Sequence, residues 1–257
     1  MNEQKYPQLE KLHILRTETL VSMRDRAFET LLLFLKNYND GIVSGCKLVT
    51  TKDSITLTEG IILHNNFLYL IKEPMSVDYS PTDELIIMKM VFAPEIFTEN
   101  FIQRNVSVEL SHDLNLADNE IELCRFKLKK GAILRTDYTD FFDRTTEFDT
   151  INAINVPYAA PNGSTISPEI TKHFAESASK FDLEPEDFSF CLEALNGQIL
   201  SREQISFYIE RRLKINLPDK ENQTLYDNLC LILQDIQSGR QREIIGGKSR
   251  RREIIVE

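Results

Sequence analysis

The hydrophobic period of this chain changes twice, and that limits its fold more than any other feature. From Leu20 the apolar positions fall at spacings of three and four: Leu20, Met23, Ala27, Leu31, Phe34 and Tyr38. That spacing lays one apolar face along a helix. From Ile42 to Tyr158 the pattern becomes short alternating runs, such as Ile55-Thr56-Leu57-Thr58, punctuated by turn signals. From Ser167 to Ser238 the three-and-four spacing returns. Segregated runs of strand and helix predict an α+β multidomain chain. The expected modules are an N-terminal amphipathic helix within residues 1–40, an antiparallel β-sandwich or barrel shell over 41–158, a small helical bundle over 165–238 and a short basic tail over 239–257.

Local signals sharpen each module. Asn39-Asp40-Gly41 is expected to close the first helix, with Gly41 as a left-handed cap. The face of that helix packs either on its own core or on another subunit. In the β region, Asn65-Asn66 separates Ile61-Ile62-Leu63 from Phe67–Ile71, and asparagine tolerates the positive φ of a tight hairpin. Further strands are expected at 84–92, 106–110, 121–128 and 132–135, with Lys129-Lys130-Gly131 turning the last two into a hairpin. Ala159-Ala160-Pro161-Asn162-Gly163-Ser164 reads as a linker.

Ser167-Pro168 is a helix start, followed by Ile170, Phe174, Ala178 and Phe181. Pro185 opens a second helix with an apolar stripe of Phe188, Cys191, Leu192 and Leu195. Ser201-Arg202-Glu203-Gln204 is a capping box opening a third, which Pro218 breaks; Leu225, Leu229, Ile232 and Ile236 stripe a fourth, which Gly239 ends. In the tail, Ile244-Ile245 and Ile254-Ile255 flank Gly246-Gly247. They suit a small hairpin, a strand added to a partner's sheet edge, or a frayed terminus.

Composition removes several classes. A formal net charge of −10 argues against a general nucleic-acid binder, which needs a basic footprint. A hydrophobic fraction of 42% with 15 Phe and 8 Tyr is too apolar for a disordered chain. No run of about 18 apolar residues is present, so no membrane-spanning helix is expected. Met1-Asn2-Glu3-Gln4-Lys5 lacks the apolar core of a secretion leader. Cys46, Cys124, Cys191 and Cys230 stand far apart among apolar neighbours, which reads as reduced buried thiols in a cytoplasmic protein.

The search for chemistry returns little. Gly246-Gly247-Lys248-Ser249 imitates the end of a phosphate-binding loop, but Arg242 stands where the first glycine belongs. His13, His64, His112 and His173 are scattered without metal-ligand spacing and read as surface or turn histidines. Asp137, Asp140, Asp143, Glu147 and Asp149 lack the spacing of a calcium loop, and they read as a packed loop with a solvated acidic face. No catalytic residue, no metal, no cofactor and no small-molecule substrate is expected.

Two segments carry a family resemblance. Glu120-Ile121-Glu122-Leu123-Cys124-Arg125-Phe126-Lys127-Leu128 resembles the "ELARVRL" strand of the TssK family, the trimeric baseplate subunits of type VI secretion systems. Thr224-Leu225-Tyr226-Asp227-Asn228-Leu229-Cys230-Leu231-Ile232 resembles that family's "LYxxLxxL" bundle helix. Gly41–Cys46 through Leu57–Leu63 is also similar to head domains of phage tail and baseplate fibre proteins. The resemblance implies a β-sandwich shell followed by a helical bundle. It implies a homotrimer that docks to baseplate wedge proteins in the cytoplasm and is recruited to the inner membrane, with a membrane-complex protein as a further partner at the C-terminal end. TssK chains are longer and end in a receptor-like domain; here only the tail follows the bundle. The expected contacts with subunits and partners are Leu20, Met23, Ala27, Leu31, Phe34 and Tyr38 on the helix, with Ile244, Ile245, Ile254 and Ile255 in the tail. The alternatives are a phage tail-fibre or receptor-adaptor protein, and a small β-barrel enzyme or ligand binder in which His64, His112 and the acidic stretch converge.

Overall fold

The computed structural model of the chain describes residue 14 and residues 16–239. The first helix, α1, spans Thr17–Phe34 and ends a turn earlier than its apolar spacing predicts. Tertiary hydrogen bonds capture the chain there. Asn39 N–H donates to Ala160 O at 3.1 Å, Asn162 N–H donates to Asn37 O at 3.1 Å, and Tyr38 forms a bridge with Pro161. Gly41 is therefore no helix cap: it opens the first strand with φ +153°, and a Cβ there would lie 2.7 Å from Ala159 N and Pro157 O. Only glycine permits that approach.

The β region forms small antiparallel sheets rather than a closed barrel. One holds β1 (Gly41–Gly45), β4 (Gly60–His64) and β5 (Phe67–Ile71) in the order β1-β4-β5. A second holds β2 (Leu48–Thr50), β3 (Ser54–Leu57) and β6 (Met75–Asp78), with β3 central. The third holds β7 (Leu85–Phe92), β10 (Val106–Ser111) and β11 (Glu120–Lys127), with β7 central. A two-stranded ribbon pairs β8 (Ile96–Phe97) with β9 (Ile102–Gln103). The β4–β5 hairpin turns on Asn65 and Asn66 at φ 49° and 59°, as the dipeptide demands. The three larger sheets contribute Ile42, Ile55, Leu57, Ile62, Met88, Met90 and Phe126 to one apolar cluster.

The expected strand at 132–135 is absent, because its place beside β11 is taken. Arg125 N–H donates to Asn152 O at 2.7 Å and Asn152 N–H returns a bond to Arg125 O at 2.8 Å. The segment after Gly131 bridges residue 150 instead, through Arg135.

The helical region follows its sequence signals closely at the caps. Helix α2 (Pro168–Ala178) starts on Ser167, whose hydroxyl accepts from Glu169 N–H at 3.2 Å. Helix α3 spans Pro185–Leu195. Helix α4 (Arg202–Leu213) carries the capping box: Gln204 N–H donates to Ser201 Oγ at 3.2 Å, and Ser201 N–H to Gln204 Oε1 at 2.8 Å. Helix α5 (Asn222–Ser238) ends on Gly239 at φ 65°. Ile170, Phe174, Phe190, Ile205, Ile209, Leu225, Leu229 and Ile232 form its core.

The face of α3 differs from expectation. Asp187, Phe190, Cys191 and Ala194 are buried, while Phe188, Leu192 and Leu195 are exposed. The cause is a buried ion pair: Arg212 Nε lies 3.0 Å from Asp187 Oδ1, which also accepts from Tyr208 OH at 2.8 Å. Drawing Asp187 inward turns the helix by about one residue step, roughly 100°.

The expected linker is packed as well. Ala159 and Ala160 are buried. Tyr158 and Thr165 exchange backbone hydrogen bonds of 2.9 Å each, and Ala159 N–H donates to Ile42 O at 2.9 Å. Upstream of it, in the segment between β11 and α2, Phe141 and Ile154 join the helical core, whereas Ile151 and Val156 join the sheet core.

Candidate subunit interface

Helix α1 is 18 residues long and none of them is buried. Leu20, Met23, Leu31 and Phe34 are 53, 47, 54 and 82% exposed, and Ala27 beside them is exposed too. Phe28 and Val21 widen the face at 48 and 39%. Helices in proteins draw most of their stability from packing an apolar face, and short helices alone in water are marginal. Most of the large apolar side chains on this face are already about half covered, so each stands to gain on the order of 1 kcal/mol from full burial. A covering surface would therefore stabilise α1 strongly. Tyr38 is not on this face: it lies beyond the helix, half-buried, in the bridge with Pro161. Ile244, Ile245, Ile254 and Ile255 lie outside the described residues.

Two further apolar surfaces escape the sequence reading. The β8–β9 ribbon exposes Ile96, Phe97, Phe101 and Ile102, two of them above 65%. Its strands are two residues long, too short to show a period, so the only sequence signal is an apolar pair on each side of Thr98-Glu99-Asn100. On the bundle, Phe181, Leu183, Phe188, Leu192 and Leu195 line a groove of about 310 Å³, exposed by the turn of α3 described above.

The chemistry-bearing residues are engaged separately. His64 is not a surface histidine: it is 5% exposed, stacked on Phe92 at 3.9 Å, with Nδ1 3.0 Å from Asp40 Oδ2. Asp40 also accepts from Asn65 N–H at 2.9 Å, so the β4–β5 hairpin holds both partners in place. His112 is exposed beside Glu84 at 3.1 Å. His173 is half-buried and accepts from Arg144 at 3.1 Å. The cavity beside His64 is lined by Phe67, Tyr69, Phe92 and Arg104 and includes neither His112 nor the acidic stretch.

Two of the five acidic side chains, Asp143 and Asp149, turn in on Arg135, while Asp137, Asp140 and Glu147 stay exposed, as a packed loop with a solvated acidic face requires. Asp143 takes a bidentate pair at 2.6 and 2.9 Å, and Asp149 lies 3.1 Å from Nε. Asp143 also accepts from Thr139 and Thr146, and the Arg135 hydrogen bond above all holds its carboxyl far below the usual carboxylate range. These oxygens are committed to the protein. Among the described residues, no group of three or more His, Cys, Asp and Glu is placed to hold a metal ion. Likewise, no helix among them is long and apolar enough to cross a membrane. The four cysteines are free, and burial pushes the Cys46 and Cys230 thiols up to about 11 and Cys191 to about 12.

No family model matches the chain, and no curated protein matches it by sequence. Among solved structures, it is similar to one described as "Crystal structure of TssK", at TM-score 0.41 and 9% identity, over 90% of this chain and 71% of that one. It is also similar to a chain in the structure of the type VI secretion system TssK-TssF-TssG baseplate subcomplex, at TM-score 0.40 and 8% identity, over 90% of this chain and 100% of that one. Likenesses of this strength carry no argument about role.

Proposed function

We propose that this chain is a structural, non-enzymatic subunit of a contractile injection baseplate, TssK-like in organisation, that assembles as a trimer through α1 and docks to wedge proteins. The observation that carries the reading is α1: an 18-residue helix with no buried residue and a continuous apolar face. A second copy of the same face is the simplest cover for it, since self-complementary packing of apolar stripes is how helices associate. The two segments that resemble TssK support the baseplate reading. They fall on β11, in the sheet that has β7 at its centre, and on α5, the helix that supplies Leu225, Leu229 and Ile232 to the bundle core. The tail isoleucines belong to the same proposal as a strand offered to a partner.

The test is mass in solution by light scattering on the full chain. The expected mass is about three times the 29.8 kDa chain. Leu31→Asp places a carboxylate on the exposed face, so it should leave the fold intact by circular dichroism and reduce the mass to one chain. A wild-type monomer, or a Leu31→Asp variant of undiminished mass, overturns the trimer reading. A trimer that fails to capture purified wedge proteins overturns the docking reading alone.

A further inference from the structure

The groove on the outer face of α3 is apolar and open. Phe181, Phe188, Leu192 and Leu195 along it are 41, 59, 55 and 41% exposed, and half-buried Leu183 and buried Cys191 line it too. A contiguous apolar patch of this kind marks a docking surface. Its surroundings are acidic. Residues 179–196 hold five carboxylates and one base, Lys180. Glu186 and Asp187 are held by Arg211 and Arg212, whereas Asp182 lines the groove and is exposed.

Helix directions bring the end of α5 to one end of this groove. Arg202, at the start of α4, donates to Ser164 O at 2.6 Å and to Asn222 Oδ1 at 2.9 Å, and Asn222 Nδ2 donates to Thr165 O at 3.4 Å. Helices α2, α4 and α5 therefore start together. Phe141 then touches Phe174 of α2 and Tyr226 of α5, at ring-centroid distances of 5.6 and 5.2 Å, so α2 and α5 run the same way. Helix α3 runs against them, since Asp187 near its start meets Arg212 near the end of α4. With 17 residues against 11, α5 ends about 9 Å beyond α2, level with the connection 179–184. Phe181 and Leu183 stand at that end of the groove.

Residues 240–257 lie outside the described residues. Their sequence carries six basic and three acidic residues, while the remainder of the chain carries a net −13. Ile244 is five residues past Gly239, a reach of up to about 17 Å. Neighbouring helix axes in a bundle lie about 8–10 Å apart, so that reach spans the end of the bundle. We infer that Ile244-Ile245 seats in the α3 groove of its own chain, with the basic residues Arg240 and Arg242 on the acidic side around Asp182. The groove is then where the tail rests on the free chain, and a partner that takes the tail as a strand must first displace it. That consequence rests on the assembly reading above; the docking itself does not.

The chain has no tryptophan, so Ile245→Trp in the full chain supplies a single fluorescent reporter. The expected emission is blue-shifted and shielded from acrylamide, unchanged on dilution and unchanged when Leu31→Asp is added. Leu192→Asp, in the groove, should move the emission and the quenching to those of tryptophan in water. If circular dichroism shows that Leu192→Asp does not fold, Phe188→Asp makes the same test. Phe207→Asp, on an exposed residue of α4 that does not line the groove, should leave the emission where it was. An emission already that of exposed tryptophan, or one that Leu192→Asp and Phe188→Asp leave unmoved, overturns the proposal. So does an emission that Phe207→Asp moves instead, which would seat the tail elsewhere. A blue shift lost on dilution would give the groove to the tail of a second copy and overturn docking within one chain. A wild-type monomer would overturn the trimer reading and leave this measurement untouched.

Discussion

Replacing Asp187 by leucine tests the account of why α3 presents the face it does. Asp187 is 1% exposed and takes bonds from Arg212 Nε at 3.0 and 3.2 Å and from Tyr208 OH at 2.8 Å. Removing the carboxylate leaves the Arg212 charge buried and alone, which costs about 3–5 kcal/mol. The Tyr208 hydroxyl also loses its acceptor, for about 1–2 kcal/mol more. The two penalties share partners and overlap, so about 4–6 kcal/mol is expected for Asp187→Leu. Against a usual total of about 5–15 kcal/mol, that leaves a marginal fold. Arg212→Leu should cost about 3–5 kcal/mol for the mirror reason. The double variant Asp187→Leu/Arg212→Leu removes both charges and should return to within about 1–2 kcal/mol of wild type. The neighbouring pair Glu186–Arg211 is a built-in control: it spans 2.8 Å but is exposed, so Glu186→Ala should cost under about 1 kcal/mol. Urea unfolding followed by far-UV circular dichroism measures all four variants. Single variants that each cost under about 1 kcal/mol and add up in the double would show that water screens the pair, and the explanation for the turned helix would fall.

Two further outcomes follow from the same geometry. Gly41→Ala puts a Cβ 2.7 Å from two backbone atoms at a φ that side chains avoid, and should cost about 2 kcal/mol or more in chemical unfolding, whereas Gly131→Ala, at φ +88° but with open space around it, carries the backbone strain without the clash and should cost less than Gly41→Ala. His173 is held neutral, first by burial and then by Arg144 and Lys180, against the opposing pull of Glu176 and Asp140. Its native pKa is therefore below the ordinary 6.5, so the unfolded chain takes up the proton first as pH falls. The stability tied to neutral His173 is complete above 6.5 and drains away below it, toward the depressed native value. The urea midpoint of His173→Gln should accordingly vary less than that of wild type across the range just under 6.5, and parallel curves would show that His173 does not titrate as argued.

Short-range signals carried far in this chain. Asn65-Asn66 specified its hairpin because asparagine tolerates the left-handed φ that such a turn needs. Ser167-Pro168 and Ser201-Arg202-Glu203-Gln204 placed two helix starts, because a cap satisfies backbone donors only a few residues away. The apolar spacing likewise located α1 itself, though not its end, since a helix repeats its geometry over neighbours three and four apart. What failed was every feature that depends on a partner distant in sequence. Gly41 looked like a cap until residues 157–159 met it; Ala159 and Ala160 looked like linker until β1 paired beside them; residues 132–135 lost their strand to Asn152. The face of α3 was decided by Arg212, one helix further along the chain. Sequence determines what a residue and its near neighbours prefer, because those energies are local. Which edge is occupied, which charge is buried and which apolar face stays uncovered are settled only when distant segments compete for the same space.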